Sequence, residues 1–157
     1  MPPPTLFDMP RIDMDHPQVT REQIYQALPH RHEFMQLDGI LHVNRDRREV
    51  VALRRVRPDE WWCKGHLPGR PLLPGVLMLE SAAHVAAYFY AVETESMRFL
   101  AFSGVDRFKF RETVTPPANL VILGKAVEVK PRRTICDVQG FVGDTMIFEG
   151  QIIGMPI

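Results

Sequence analysis

The sequence predicts an α+β fold in which an antiparallel sheet wraps around one long, central apolar helix. Three observations carry this. The run Pro74–Tyr90 is long enough for about four helical turns and is apolar on nearly every side, as a helix enclosed by other structure must be. Everything after it reads as strand, in segments separated by Pro116-Pro117, Lys130-Pro131 and Gly143-Asp144. A chain of 157 residues with no internal repeat or linker makes one domain, able to bury roughly two-thirds of its unfolded surface.

Residues 1–19, rich in Pro and Asp, read as an extended N-terminal arm, and residues 20–157 as a single domain. The arm lacks the basic start and apolar stretch of a secretory signal. Thr20 and Gln23 have the spacing of a capping box, which opens a short helix to about Leu28; Pro29 ends it. Strands follow at about Leu37–Val43 and Glu49–Val56, on either side of the polar turn Asn44-Arg45-Asp46-Arg47. Residues 57–73 form a loop stiffened by three prolines and two glycines. Pro74 then stands at the favoured first position of the long helix. The remaining strands run at about Phe99–Phe110, Leu120–Val129, Arg133–Val142 and Met146–Ile153, the last two joined by a Gly143-Asp144 turn suited to a hairpin. One helix and about six mostly antiparallel strands pack economically only with the sheet curved around the helix, which is the hot-dog arrangement.

Lys plus Arg (19) balance Asp plus Glu (19), so no global field attracts nucleic acid or a membrane surface. Two cysteines, Cys63 and Cys136, make no disulfide framework and suit a reducing compartment. The apolar stretch from Leu72 to Tyr90 contains Pro74, Gly75, Glu80, Ser81 and His84. A membrane span would incur about 2.5–3.5 kcal/mol for a central charge such as Glu80. The expectation is a soluble, cytoplasmic chain with neither nucleic acid nor membrane as partner.

Two polar groups interrupt the buried helix. Glu80 and His84, four apart, share a face. A buried carboxylate without a partner is costly, so Glu80 serves either a structural ion pair, a subunit contact or chemistry. At the start of the helix, Leu72 and Leu73 offer no side-chain oxygen as a cap, which leaves the amides near Gly75 and Val76 without a local acceptor. Such a helix end can hold water, a loop carbonyl or the developing charge of an oxyanion. Upstream, the loop Gly65–Gly75 fixes His66 beside that helix start; a histidine so held is a candidate general base.

The run Gly65-His66-Leu67-Pro68-Gly69-Arg70-Pro71-Leu72-Leu73-Pro74-Gly75-Val76-Leu77-Met78-Leu79-Glu80 resembles the active-site signature of the FabZ-type 3-hydroxyacyl-[acyl-carrier-protein] dehydratases. The similarity extends to Leu28-Pro29-His30-Arg31 with Phe34 and Asp38, and to Gly104–Arg111. It implies a hot-dog fold with a homodimer as catalytic unit, often assembled as a trimer of dimers. It implies His66 and Glu80 as the catalytic pair, Glu80 coming from the partner subunit, and a Gly75 amide that polarises the thioester carbonyl. The FabA type, which also isomerises, has Asp at the Glu80 position, so the resemblance favours simple dehydration. The implied reaction converts a (3R)-3-hydroxyacyl thioester on acyl carrier protein to the trans-2-enoyl thioester. It needs no cofactor beyond the phosphopantetheine of its substrate and no metal. Leu77, Val85 and Phe34 could line an acyl channel or be plain core.

The chain departs from that family at several places. His84 stands where the family usually has Gln, His32-Glu33 where it has Tyr-Pro, and Pro117-Ala118 where it has Gly-Asp. A cationic His84 would favour ionised Glu80 and weaken it as a proton donor, which points to an altered substrate, a specialised pathway or lost activity. A non-catalytic acyl or carrier-protein binding module and a hot-dog thioesterase are the competing functions. A zinc site on Cys63 and His66, or on His30 and His32, lacks a second half at recognisable spacing. Cys63 has no orienting groups for a nucleophile, and Trp61 and Trp62 suit packing. Arg107, Lys109 and Arg111 alternate along one strand, and Lys130, Arg132 and Arg133 cluster at a turn. Either group could dock an acidic carrier protein or be a solvated face.

Overall fold

A computed structural model of the chain describes residues 3–157. A short strand, β1 (Val19–Thr20), runs into helix α1 (Arg21–Ala27). The capping box forms as its spacing predicts: Thr20 Oγ accepts from the Gln23 amide at 3.3 Å and Gln23 Oε1 accepts from the Thr20 amide at 2.9 Å. Strands β2 (Gly39–Asn44) and β3 (Glu49–Val56) pair as a hairpin, with Asn44 opposite Glu49. The long helix α2 spans Gly75–Thr94, a turn longer than the sequence suggested. It stops where Glu95 turns left-handed, with φ 50°. Pro74 sits one position before the helix rather than inside it, and its carbonyl accepts the Leu77 and Met78 amides. Four strands follow: β4 (Leu100–Phe110), β5 (Ala118–Lys130), β6 (Arg133–Val142) and β7 (Thr145–Pro156). The β6–β7 turn is Gly143-Asp144, with Gly143 at φ +57°.

The strands form one antiparallel sheet in the order β1-β2-β3-β5-β6-β7-β4, with α2 packed against one face. This is the expected hot-dog architecture. Inner-face residues Ile40, Val50, Ala52, Leu120, Ile122 and Phe148 share a core with Met78, Ala82, Val85 and Phe89 of α2. The helix seats closely because β5 has Gly124 there; a Cβ would lie 2.8 Å from Val85 Cγ1. By length and hydropathy α2 could cross a membrane, but its burial against the sheet makes it the core helix.

Alternate residues on the same strands, Val51, Leu53, Val121 and Leu123, point to the other face. The N-terminal segment covers them. Phe7 is buried there, with Leu6, Ile12 and Met14 beside it. Gln139 holds this segment twice, accepting from the Leu6 amide at 3.0 Å and donating to the Pro4 carbonyl at 2.9 Å. Arg55 adds a hydrogen bond to the Met14 carbonyl at 2.7 Å.

Strand β4 is the free edge opposite β1. A bulge between Asp106 and Lys109, with Arg107 at φ +48°, interrupts its alternation. Simple alternation therefore does not put Arg107 on one face with Lys109 and Arg111, as the strand pattern suggested.

Candidate active site

Glu80 lies on the second turn of α2, and what holds it is a chain of buried hydrogen bonds. Tyr25, on the buried face of α1, accepts the Leu37 amide at 2.8 Å through its hydroxyl oxygen. Its hydroxyl lies 2.9 Å from His84 Nδ1, and His84 Nε2 lies 2.9 Å from Glu80 Oε1. With the Leu37 amide as a donor to it, the Tyr25 hydroxyl has His84 Nδ1 as the acceptor for its own proton among the described residues. That assigns the His84 ring proton to Nε2, from which it is donated to Glu80. Held in this way, His84 is an oriented hydrogen-bond donor to Glu80. Its effect on Glu80 has the expected direction: the hydrogen bond from His84 holds the carboxyl below its usual range, although burial pulls the other way.

A second histidine closes the cluster. The His30 ring stacks on that of His84 with centroids 3.9 Å apart, and its Nε2 lies 4.0 Å from Glu80 Oε1. Burial, followed by the His84 charge, pushes its pKa down to about 4. Its Nδ1 is buried without a partner among the described residues. Donor atoms of His30, Glu80 and His84 all fall within 4.8 Å of one another, close enough for a metal, yet both His84 nitrogens are already engaged by Tyr25 and Glu80. The apolar residues Ala83, Ala87, Leu100, Phe102 and Ile152 complete a pocket of about 40 Å³ over Glu80. That volume holds a few waters at most, not an acyl chain.

The start of α2 is bare, as its sequence implies. Leu77 and Met78 donate to the Pro74 carbonyl, whereas the Gly75 and Val76 amides have no acceptor among the described residues. The Phe110 ring lies over Gly75, and a Cβ there would be 3.0 Å from its Cζ. The loop before α2 is pinned from below. Arg54, 2% exposed, is held by Glu60 at 2.8 and 3.2 Å and by Gln36 at 3.1 Å, and Glu60 also accepts the Arg57 amide at 2.8 Å. Trp62 is buried, and its carbonyl accepts the His66 amide at 2.8 Å.

His66 itself is exposed and is not among the residues that line the Glu80 pocket: among the described residues, no hydrogen bond or ion pair joins it to Glu80 within one chain. Val76 is exposed and Leu77 half-buried. Val85 is core, packed against Gly124, and Phe34 is 61% exposed on a 3-10 turn; neither lines the Glu80 pocket. Of the basic residues, Arg111 is bridged to Glu149, Arg133 and Lys130 to Glu128, and Arg107 to Asp106, while Lys109 and Arg132 make no ion pair among the described residues. Burial pushes the Cys136 thiol up to about 12. Tyr25 was missed by sequence reasoning, and His30 was noted within a motif and as a possible zinc ligand with His32, not as a neighbour of Glu80. The available signal was a tyrosine on the buried face of α1, since a buried hydroxyl requires a partner.

A family model described as a FabA-like domain matches residues 28–151. The 3-hydroxyacyl-[acyl-carrier-protein] dehydratase FabZ of Moorella thermoacetica is 36% identical over 131 residues, covering 83% of this chain and 91% of that protein. Its counterpart from Desulfotalea psychrophila is 32% identical over 133 residues, covering 83% and 88%. Among solved structures, the dehydratase heterocomplex ApeI:P from Xenorhabdus doucetiae superposes with a TM-score of 0.72 at 15% identity, covering 85% of this chain and 90% of that one.

Proposed function

This chain belongs to the FabA-like family, and from that premise we propose that it is a FabZ-type hydro-lyase that dehydrates a (3R)-3-hydroxyacyl thioester on acyl carrier protein to the trans-2-enoyl thioester. The observation that carries the reading is Glu80: a carboxylate fixed on a core helix, in an apolar pocket, one turn from two unoccupied backbone amides.

The thioester oxygen takes the free amides of Gly75 and Val76, which stabilise the enolate-like charge, a contribution of about 10²–10³-fold for one such donor. His66 removes the α-proton. The Cβ–O bond breaks with its electron pair going to oxygen, and the proton held by His66 reaches the departing hydroxide through Glu80 or its bound water, so water leaves and the residues return to their starting state. No resident cofactor or metal is needed.

His66 and Glu80 meet across subunits in this reading. Two features support a homodimer. The single-chain pocket is too small for substrate, and the β4 edge exposes Phe102, Val105 and Phe110 beside an unpaired backbone. An edge of eleven residues with exposed aromatics is stable in water only when it is covered. Pairing two such edges makes the dimer, and three dimers make the hexamer implied by the family pattern. We place this assembly in the cytoplasm, with Lys109, Arg132 and the neighbouring Arg107, Arg111 and Arg133 as candidates for docking the carrier protein.

One assay separates the possible activities. Offered a 3-hydroxyacyl carrier-protein thioester, the protein should raise enoyl absorbance without releasing free thiol, and His66→Ala or Glu80→Gln should abolish the signal. Thiol release would make it a thioesterase, and binding without either signal a carrier-binding module.

A further inference from the structure

The Tyr25–His84 pair takes no part in the steps above, yet it is buried, fully hydrogen-bonded and aimed at Glu80. We propose that Tyr25 and His84 are positioning residues for Glu80: the chain Leu37 N–H to Tyr25 Oη–H to His84 Nδ1, and His84 Nε2–H to Glu80, fixes one carboxylate oxygen so that the other faces the substrate hydroxyl. The inference rests on Glu80 having the role given above.

The geometry demands a specific tautomer. A neutral imidazole has one donor and one acceptor, and a hydrogen on Nδ1 would leave Nε2 turning a lone pair on the carboxylate at 2.9 Å. Tyr25 works against this, because among the described residues His84 Nδ1 is the acceptor within reach of its buried hydroxyl proton, which a hydrogen on Nδ1 would leave unsatisfied. Leu37 is 0% exposed and Tyr25 3% exposed, so no solvent competes for these atoms. The other groups around Glu80 do not replace this function. His30, from the loop after α1, is 4.0 Å away, beyond hydrogen-bonding reach, while β4 and β7 contribute Leu100, Ala101, Phe102, Ile152 and Gly154, none titratable.

The test uses the full-length chain with a 3-hydroxybutyryl carrier-protein thioester, measuring kcat and KM across the pH range. His84→Gln keeps an acceptor for Tyr25 and a donor for Glu80 and should remain within a few-fold of wild type. His84→Leu should lower kcat by about 10–100-fold, the scale at which partners orienting a functional group act, with KM little changed. Its acid limb should also move to higher pH, because Glu80 loses the hydrogen bond that favours its ionised form. Tyr25→Phe should show the same shift to a smaller extent. The inference is overturned if His84→Gln falls as far as His84→Leu, or if folded Tyr25→Phe and His84→Leu keep the wild-type pH profile. Should His84→Leu fail to fold, the contrast between His84→Gln and Tyr25→Phe decides alone. If Glu80→Gln itself retains dehydration, the proposed reaction falls first, and the two failures are thereby told apart.

Discussion

Replacing Gly75 by Ala separates the chemical role of the helix tip from its packing role. A Cβ at residue 75 would meet Phe110 at 3.0 Å (Cζ) and 3.3 Å (Cε1 and Cε2). Ordinary carbon contacts lie at about 3.5–4.0 Å, so the ring must yield by roughly 0.5 Å. In a single protomer it can: Phe110 is 49% exposed at the end of an edge strand, and a small swing of the ring costs little unless the β4 pairing proposed above encloses it. Against this stands a helix-propensity gain of up to about 1 kcal/mol. Stability should therefore change by less than about 1 kcal/mol, which in a domain of this size is a melting shift within about 4 °C. Turnover should behave otherwise. The new methyl group crowds the approach of a thioester oxygen to the free amides, and kcat should fall by up to about 10²–10³-fold. Differential scanning fluorimetry and enoyl absorbance read the two effects. Unchanged kcat would remove Gly75 from the chemistry, and a melting loss beyond about 10 °C would show that Phe110 cannot give way as argued.

Other perturbations test the surrounding structure. Glu60→Ala leaves the Arg54 guanidinium buried without its carboxylate; breaking such a pair costs about 3–5 kcal/mol, and urea denaturation should show a loss on that scale. Phe7→Ala removes the main anchor of the N-terminal segment from the outer face and should cost about 3 kcal/mol, with Val51, Leu53 and Val121 becoming accessible to a hydrophobic dye. A drop below about 1 kcal/mol would mean that the segment is only loosely seated. The His30 pKa, low at about 4, sets a pH dependence. The unfolded chain binds a proton at this ring below about pH 6.5 and the folded chain does not until about pH 4. The stability contribution is thus complete above about pH 6.5 and lost as pH falls toward 4. Urea midpoints should fall across that window in wild type and fall less in His30→Gln.

The architecture was legible because its signals are local. Helix α2 announces itself by continuous apolar residues behind Pro74-Gly75, and the β6–β7 hairpin by Gly143-Asp144. Glu80 stood out as a charge on a buried helix. His84 stood out with it as the i+4 neighbour on the same face, but Tyr25 did not, because it lies 59 positions from His84 and meets it only when α1 packs on α2. The bulge at Arg107 and the burial of Phe7 were equally hidden, the first because it depends on pairing register with β7, the second because a single aromatic in a Pro-rich segment carries no periodicity. The fold of one chain leaves His66 outside the Glu80 pocket, so the proposed pairing of the two requires an assembly.

The substitution of His for Gln in the family pattern loses its oddity once Tyr25 is considered with it. A glutamine amide offers a donor and an acceptor on one rigid plane, which is what the space between an α1 hydroxyl and the Glu80 carboxylate requires. A histidine offers the same two functions only if its tautomer is fixed, and an unassisted imidazole would be free to reverse them or take a second proton. Tyr25 fixes the tautomer, because the Leu37 amide leaves its hydroxyl proton a single use. In that tautomer His84 meets Glu80 through a single Nε2–H hydrogen bond at 2.9 Å. Seen this way, His84 and Tyr25 are one unit with the hydrogen-bonding pattern of a glutamine, and the departure from the family argues for a retained acid–base carboxylate rather than a disabled one.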